Sequence, residues 1–462
     1  CCCPTTAPQP SVEVETIPIT GALEPHPERC WAGMTKLPSF LSSMFPGSAS
    51  NAGSSGAKEP DHTTGSGAGH TVLPPARRAD PQGAAGRGDS SIQKGAGGGS
   101  AASSKSGESP LFAEGMMTQV TKSVLQDSME KVAASVQPWL ADDVIMHNML
   151  QEAVRNHGQV DLMQWKKGSD AGVKFACKRM PTRWVREGPD EFLEQYPSAS
   201  ERPWFDLGLV RHLNRIKFPY VCDLLGIFRD EENSYVASSL ATEGDLFSWC
   251  DQDPKPGKAR EEVMNPIVSQ IFSGVRLLHD LGIAHRDLSL ENILLTKTPS
   301  GLKIRLIDFG MSTLSRFVRR EIRGKQSYQA PEMHSEPQYD TFLADAFSVG
   351  VVVFAMAVQD YPWTSTKRNS CQLFEYVVTF GFMKFLKKRK LRKGTGEHLS
   401  EVFSPALAEL LEGLLEADSA KRLTLGEVCF MKGEQGQAKR AVWDMPWSKD
   451  SNKGRGPVSE SI

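Results

Sequence analysis

The feature that most narrows what this chain can fold into is an ordered series of three short segments in its second half. They read His285-Arg286-Asp287-Leu288-Ser289-Leu290-Glu291-Asn292, then Asp308-Phe309-Gly310, then Ala330-Pro331-Glu332. Taken singly, an Asp, Asn or Glu of this kind is a helix cap or a turn residue. As an ordered set the three segments have no such structural rationale. The chain around them changes character along its length. Leu162-Met163-Gln164-Trp165 and residues 173–178 read as strands on either side of the turn Gly168-Ser169-Asp170-Ala171-Gly172, and residues 235–240 read as another. Beyond them Ile267, Ile271, Val275 and Leu278 recur at helical spacing until Gly282. Residues 345–358 are almost unbroken apolar sequence, read as a buried helix too short to span a bilayer. Residues 405–415 repeat Leu at helical spacing. Strands first and helices after predict an α+β architecture of two lobes, a small β-rich one and a larger helical one.

Composition sets the limits of that folded part. Residues 1–110 are rich in Pro, Gly, Ser and Ala, and 47–109 are of low complexity, so this region is expected to be disordered. Residues 111–139 are expected to form a helical lead-in, with Leu111, Met117, Val120, Val124, Leu125 and Val132 near helical spacing. The globular domain is expected over 140–435, with a flexible polar tail at 436–462. The net charge of −2 favours neither nucleic acid nor an anionic membrane surface, so neither a nucleic-acid partner nor an integral membrane segment is expected. Cys1, Cys2, Cys3, Cys30, Cys177, Cys222, Cys250, Cys371 and Cys429 match no zinc or disulfide-scaffold spacing, which points to a reducing, cytoplasmic setting. Cys1–Cys3 read as an acylation site or as a disordered end. A chain beginning at Cys1 reads as a fragment or a processed product, in which an upstream targeting segment would be invisible.

The three segments match the catalytic loop, metal-binding segment and activation-loop end of the eukaryotic protein kinases, and over roughly 300 residues the chain resembles that family. The resemblance implies a bilobal fold whose N-lobe carries one main helix. It implies transfer of the γ-phosphate of ATP, with Mg²⁺, to serine or threonine hydroxyls of a protein substrate. On it, Asp287 is the catalytic base, and Asn292 and Asp308 hold Mg²⁺. Lys178, in Phe175-Ala176-Cys177-Lys178, contacts the α- and β-phosphates. Gly158, Ser239, Ala241, Asp245 and Leu294 complete the ATP site, with Asp245 on the ribose or on a basic substrate and Ser238 guarding a pocket behind adenine. Asp345 ties down the catalytic loop, Arg422 pairs with Glu332, and Leu213, Leu224, His285 and Phe309 stack across the lobes.

Several positions depart from the family pattern. Gly158 is the only glycine in the expected phosphate-covering segment, Asn156 to Asp161. The helix acid that should pair with Lys178 is missing: Leu209 stands there, with Asp206 and Glu194 as candidates. Ser289 replaces the catalytic-loop lysine, while Lys325 replaces a threonine beyond Gly324. The two changes suggest an exchange in which Lys325 reaches back, the alternative being an exposed, solvated lysine. A similar exchange marks the FIKK-type kinases of apicomplexan parasites, although this chain lacks a literal Phe-Ile-Lys-Lys. Arg286 invites an activation-loop anion, and the register from Gly310 to Gly324 offers Glu321, with Ser312, Thr313 and Ser315 as candidate phosphosites. The basic stretch 384–393, with Lys384, Lys387, Lys388, Lys390 and Lys393, is either a docking surface for an acidic partner or a solvated helix face. Two classes stand: an active serine/threonine kinase, and a pseudokinase that binds ATP or serves as a scaffold. Tyrosine specificity and a small-molecule substrate are disfavoured, the latter by Ala330-Pro331-Glu332 and Arg422.

Overall fold

A computed structural model describes residues 118–394, 396–431 and 438–450. The expectations for residues 1–110, Leu111, Met117 and everything past 450 lie outside the described residues.

The first lobe opens with helix α1 (Lys122–Ala133), whose N-cap Thr121 accepts the Val124 amide at 3.2 Å through Oγ1. Strands β1 (Gln137–Pro138), β2 (Val144–Ala153), β3 (Gly158–Trp165) and β4 (Lys174–Pro181) follow. Helices α2 (Thr182–Val185), α3 (Pro189–Gln195) and α4 (Pro203–Arg215) come next, then β5 (Leu224–Arg229) and β6 (Asn233–Ser239). The six strands form one sheet in the order β1-β5-β6-β4-β3-β2, antiparallel except for the β1–β5 pair. Alternation along β4 explains its role. Phe175 and Cys177 are buried in a cluster with Met163, Tyr235 and Ala237, so Lys178 turns to the opposite face. The β3 strand begins four residues before the apolar run at Leu162, because polar Gln159 and Asp161 are paired along β4 through Arg179 and Cys177.

The second lobe contains α5 (Leu246–Cys250), α6 (Lys258–Asp280), β7 (Ile293–Thr298), β8 (Gly301–Leu306) and β9 (Phe317–Val318). It continues with α7 (Glu332–Ser335), β10 (Tyr339–Asp340), α8 (Thr341–Val358), α9 (Gln372–Phe380), α10 (Phe382–Lys388), α11 (Leu399–Val402) and α12 (Pro405–Leu414). One apolar cluster spans α6, α8 and α12. The buried helix is longer than its apolar run suggested. It starts at Thr341, where Asp340 Oδ1 accepts the Phe342 amide at 3.0 Å, and its 18 residues with mean hydropathy 2.0 are long and apolar enough to cross a membrane. All of them are instead buried within the domain.

Two domain limits move. Helix α1 packs against α4, with Ser128 Oγ donating to Gly208 O at 2.8 Å, so the expected lead-in is part of the first lobe. Residues 438–450 were expected in the flexible tail. Val442, Met445 and Trp447 are buried in the main cluster, and Thr424 pairs with Ala441, so the domain extends past 435. Residues 441–447 are apolar except for Asp444, but seven residues holding Pro446 are too short to show a helical period.

Candidate active site

The catalytic loop is held from beneath. Asp345 on α8 accepts the His285 amide at 2.7 Å through Oδ2 and the Arg286 amide at 2.8 Å through Oδ1. His279 on α6 contacts the same carboxylate at 3.1 Å and Glu427 at 2.7 Å. Arg286 at φ 66° and Asp308 at φ 67° both take left-handed backbone, a strained choice for residues with side chains that the anchoring has to hold in place. Asn292 Nδ2 donates to Asp287 O at 2.8 Å and Oδ2 at 3.0 Å. That commits the amide nitrogen inward and leaves the amide oxygen as the atom able to ligate a cation. Asp287 Oδ1 is buried without a hydrogen-bond partner.

Across the cleft, Lys178 Nζ lies 3.5 Å from both Asp206 Oδ2 and Asp308 Oδ1. Asp206, one turn ahead of Leu209 on α4, therefore meets the strand lysine, while Glu194 is exposed on α3 and does not. Asp206 Oδ1 also accepts the Phe309 amide at 3.0 Å, tying α4 to the metal-binding segment. Burial opposes the charge on Lys178, but Asp308, Asp206 and Glu201 outweigh it and raise its pKa. The same lysine, against the effect of burial, holds Asp308 below the usual carboxylate range. Reasoning from sequence passed over Glu201. It is 4% exposed, accepts Asn156 Nδ2 at 3.4 Å, and is pushed up to about 8 by burial and by the charge of Asp308. It presses on the second lobe as well: a Cβ on Gly310 would sit 1.9 Å from Glu201 Oε1.

The remaining nucleotide candidates line one edge. Ser239, at the end of β6, spends its amide on Asp223 O at 2.9 Å, so its carbonyl is what it can offer a ligand. Ala241 is half-buried just beyond. Leu294 on β7 bridges to Asp245, whose carboxylate caps α5 by accepting the Ser248 amide at 2.8 Å. Asp245 thus has a structural duty apart from any ligand. Gly158 follows the left-handed His157 at φ 55°, and a Cβ there would lie 1.9 Å from Arg179 O. Close strand approach by itself requires this glycine.

The activation segment crosses the catalytic loop. Gly324, at φ +81°, leaves room where a Cβ would meet Arg286 O at 2.8 Å. That approach brings Lys325 Nζ to 3.0 Å from Ser289 Oγ and 2.8 Å from Glu291 Oε2. Arg286 Nη2 pairs with Glu321 Oε2 at 2.8 Å, with Arg323 at 3.6 Å. Burial would raise the Glu321 carboxyl, but Arg286, Arg323 and Arg202 hold it below its ordinary value. Further down, Arg422 grips Glu332 with both guanidinium nitrogens at 2.5 and 2.8 Å, fully buried. His285 and Phe309 rings lie 5.0 Å apart, and Phe309 shares the main cluster with Leu213, whereas Leu224 packs in the first-lobe cluster. In the basic stretch, Arg389 and Arg392 are drawn onto Asp360 at 2.7 and 3.7 Å, and Lys393 onto Asp251 at 3.5 Å.

Among the described residues, no group of three His, Cys, Asp or Glu is arranged to hold a metal ion by itself. Asp308 and Asn292 nonetheless present hard oxygen donors of the kind Mg²⁺ takes, and Mg²⁺ ordinarily completes its shell with water and substrate phosphates. The donor set fits that ion.

Residues 205–432 match the protein kinase domain family. The chain is 27% identical over 230 residues to CBL-interacting serine/threonine-protein kinase 13 of Arabidopsis thaliana, covering 48% of this chain and 41% of that one. It is 27% identical over 218 residues to the serine/threonine-protein kinase H1 homolog of Pinctada fucata, covering 46% and 48%. It is 28% identical over 218 residues to protein kinase kin1 of Schizosaccharomyces pombe, covering 46% and 22%. The chain thus spans less than half the length of each of these relatives. Motif order, two-lobed architecture and these matches agree, and the folded part of the chain has the two-lobed protein kinase fold.

Proposed function

We propose that the chain is an active serine/threonine protein kinase, transferring the γ-phosphate of Mg-ATP to hydroxyls of a protein substrate. The observation that carries this is the joint placement of Asp287, Asn292, Lys178 and Asp308 around one cleft, with Lys178 paired to an acid on α4. Mg²⁺ would supply charge neutralisation on the phosphates. Asp308 and Asn292 would hold it, and Lys178, steadied by Asp206, positions the α- and β-phosphates. Asp287, aligned by Asn292, orients the substrate hydroxyl and takes its proton. Lys325, hydrogen-bonded to Ser289, provides charge on the side of the site where the family's lysine is absent, which is the exchange that suggests kinship with FIKK-type kinases. The free thiols Cys177, Cys222, Cys250, Cys371 and Cys429 suit work in a reducing, cytoplasmic setting.

The test is Mg-dependent transfer of γ-phosphate to a generic basic protein, beside an Asp308→Ala variant. Transfer that disappears in the variant is expected. Nucleotide-dependent thermal stabilisation with no transfer would make the chain a nucleotide-binding pseudokinase instead. In the same assay Lys325→Ala is expected to lower turnover at least about tenfold, the scale of a lost charged contact to the reacting group. Unchanged turnover would remove Lys325 from the site.

A further inference from the structure

Arg155 sits in the short turn Val154–Asn156 that joins β2 to β3, above the cleft. Its Nη1 lies 2.5 Å from Asp287 Oδ2 and 3.7 Å from Met311 Sδ. The Arg155 side chain is 34% exposed and that of Asp287 2%. Burial works against the Arg155 charge, but Asp287 above all, with Asp308 and Glu201, raises its pKa and keeps it protonated.

This pair cannot be the reacting arrangement. Asp287 Oδ2 already accepts both Arg155 and Asn292, and the other oxygen, Oδ1, has no partner but is buried, so the carboxylate has no exposed oxygen left for a substrate hydroxyl. The guanidinium therefore has to leave Asp287 before transfer. It cannot discharge, and its planar fork of donors matches phosphate oxygens. The site is also short of cation there. Ser289 carries none, and the Lys325 ammonium that reaches it also pairs with Glu291 at 2.8 Å, so it makes up for the absent lysine only in part.

Resting on the kinase reading above, we infer that Arg155 is a phosphate-contacting residue, paired with Asp287 when the nucleotide site is empty and moved onto the γ-phosphate when ATP is bound. In the transfer step, the bond between the γ-phosphorus and the ADP oxygen breaks and a bond to the substrate oxygen forms. The hydroxyl proton passes to Asp287 and ADP leaves. Arg155 makes and breaks no covalent bond. It offsets charge on the equatorial oxygens, and its departure frees Asp287 for substrate. The first lobe thus supplies through a side chain what a glycine-poor turn cannot supply through backbone amides.

The experiment compares the full chain with Arg155→Ala and Arg155→Lys. Each is assayed for binding of Mg-ADP and of a non-hydrolysable Mg-ATP analogue, and for steady-state turnover. The turn is partly exposed, so thermal stability should stay close to that of the parent. For Arg155→Ala we expect the ATP analogue to bind about 10- to 100-fold more weakly and ADP to bind nearly as before, because ADP has no γ-phosphate. Turnover at saturating ATP is expected to fall about 100-fold, with partial recovery in Arg155→Lys. Equal losses for ADP and the ATP analogue would mean that Arg155 only shapes the turn, and overturn the inference. Raised turnover would make Arg155 an inhibitory plug, and overturn it too. The binding comparison needs no transfer, so it separates the two readings. A selective loss of ATP-analogue affinity in a chain that never transfers phosphate would sink the enzyme and keep the Arg155 contact.

Discussion

The Arg286 side chain is 3% exposed, and a buried cation needs a standing anion. Glu321 supplies one at 2.8 Å from within the activation segment. The expected outcome is turnover by protein that carries no phosphate on Ser312, Thr313 or Ser315, checked by mass spectrometry on the assayed sample. Glu321→Ala should lower that turnover about tenfold or more, because it strands the buried charge. The carboxyl is depressed below its ordinary value of 4.5, so its contribution is present above that pH and lost only as pH falls through the depressed value. Glu321 was legible because its distance from fixed landmarks is read along one loop. Glu201 and Arg155 were not. Glu201 precedes Pro203, in a stretch with no periodicity, and only the docking of α4 brings it to Asp308. Arg155 is a polar residue in a turn, and its meaning comes from a partner 132 positions away.

Helix α4 is the element on which the cleft depends. It carries Asp206, and Asp206 touches both Lys178 and the Phe309 amide. Its outer face is covered by α1, whose Leu125 is 3% exposed and whose Val132 is fully buried. Leu125→Ala should cost about 2–5 kcal/mol of stability, read by denaturant unfolding, and should lower turnover by loosening the Asp206 contact. Stability lost with turnover intact would show that α1 supports the fold without setting the site. Helices α6, α8 and α12 were readable because their apolar residues recur or run unbroken, and only their ends shifted. The first strands were readable only where they were apolar. The polar half of β3 gains its order from pairing with β4, an interaction between distant residues that local sequence does not record.

At the scale of the whole domain, a few buried polar nodes join elements far apart in sequence. His279 ties α6 to Asp345 on α8 and to Glu427 near the end of the fold, and Asp345 in turn holds the catalytic loop. Burial opposes its charge, yet hydrogen bonds to the two carboxylates raise its pKa from 6.5 to about 9. The stabilisation is fully present below pH 6.5 and is lost as pH rises through about 9. Denaturant unfolding across that range should therefore weaken with pH, by roughly 3 kcal/mol in all. His279→Gln should flatten this dependence, and a variant that keeps the full slope would place the titrating group elsewhere. The Arg422–Glu332 pair is a second such node, and the family pattern made it legible where the sequence around Arg422 did not. The encoded partner of Arg286 has one more consequence. A phosphate can be stripped by a phosphatase, but the Glu321 carboxylate is a side chain encoded in the sequence, so no enzyme of that kind can switch this contact off.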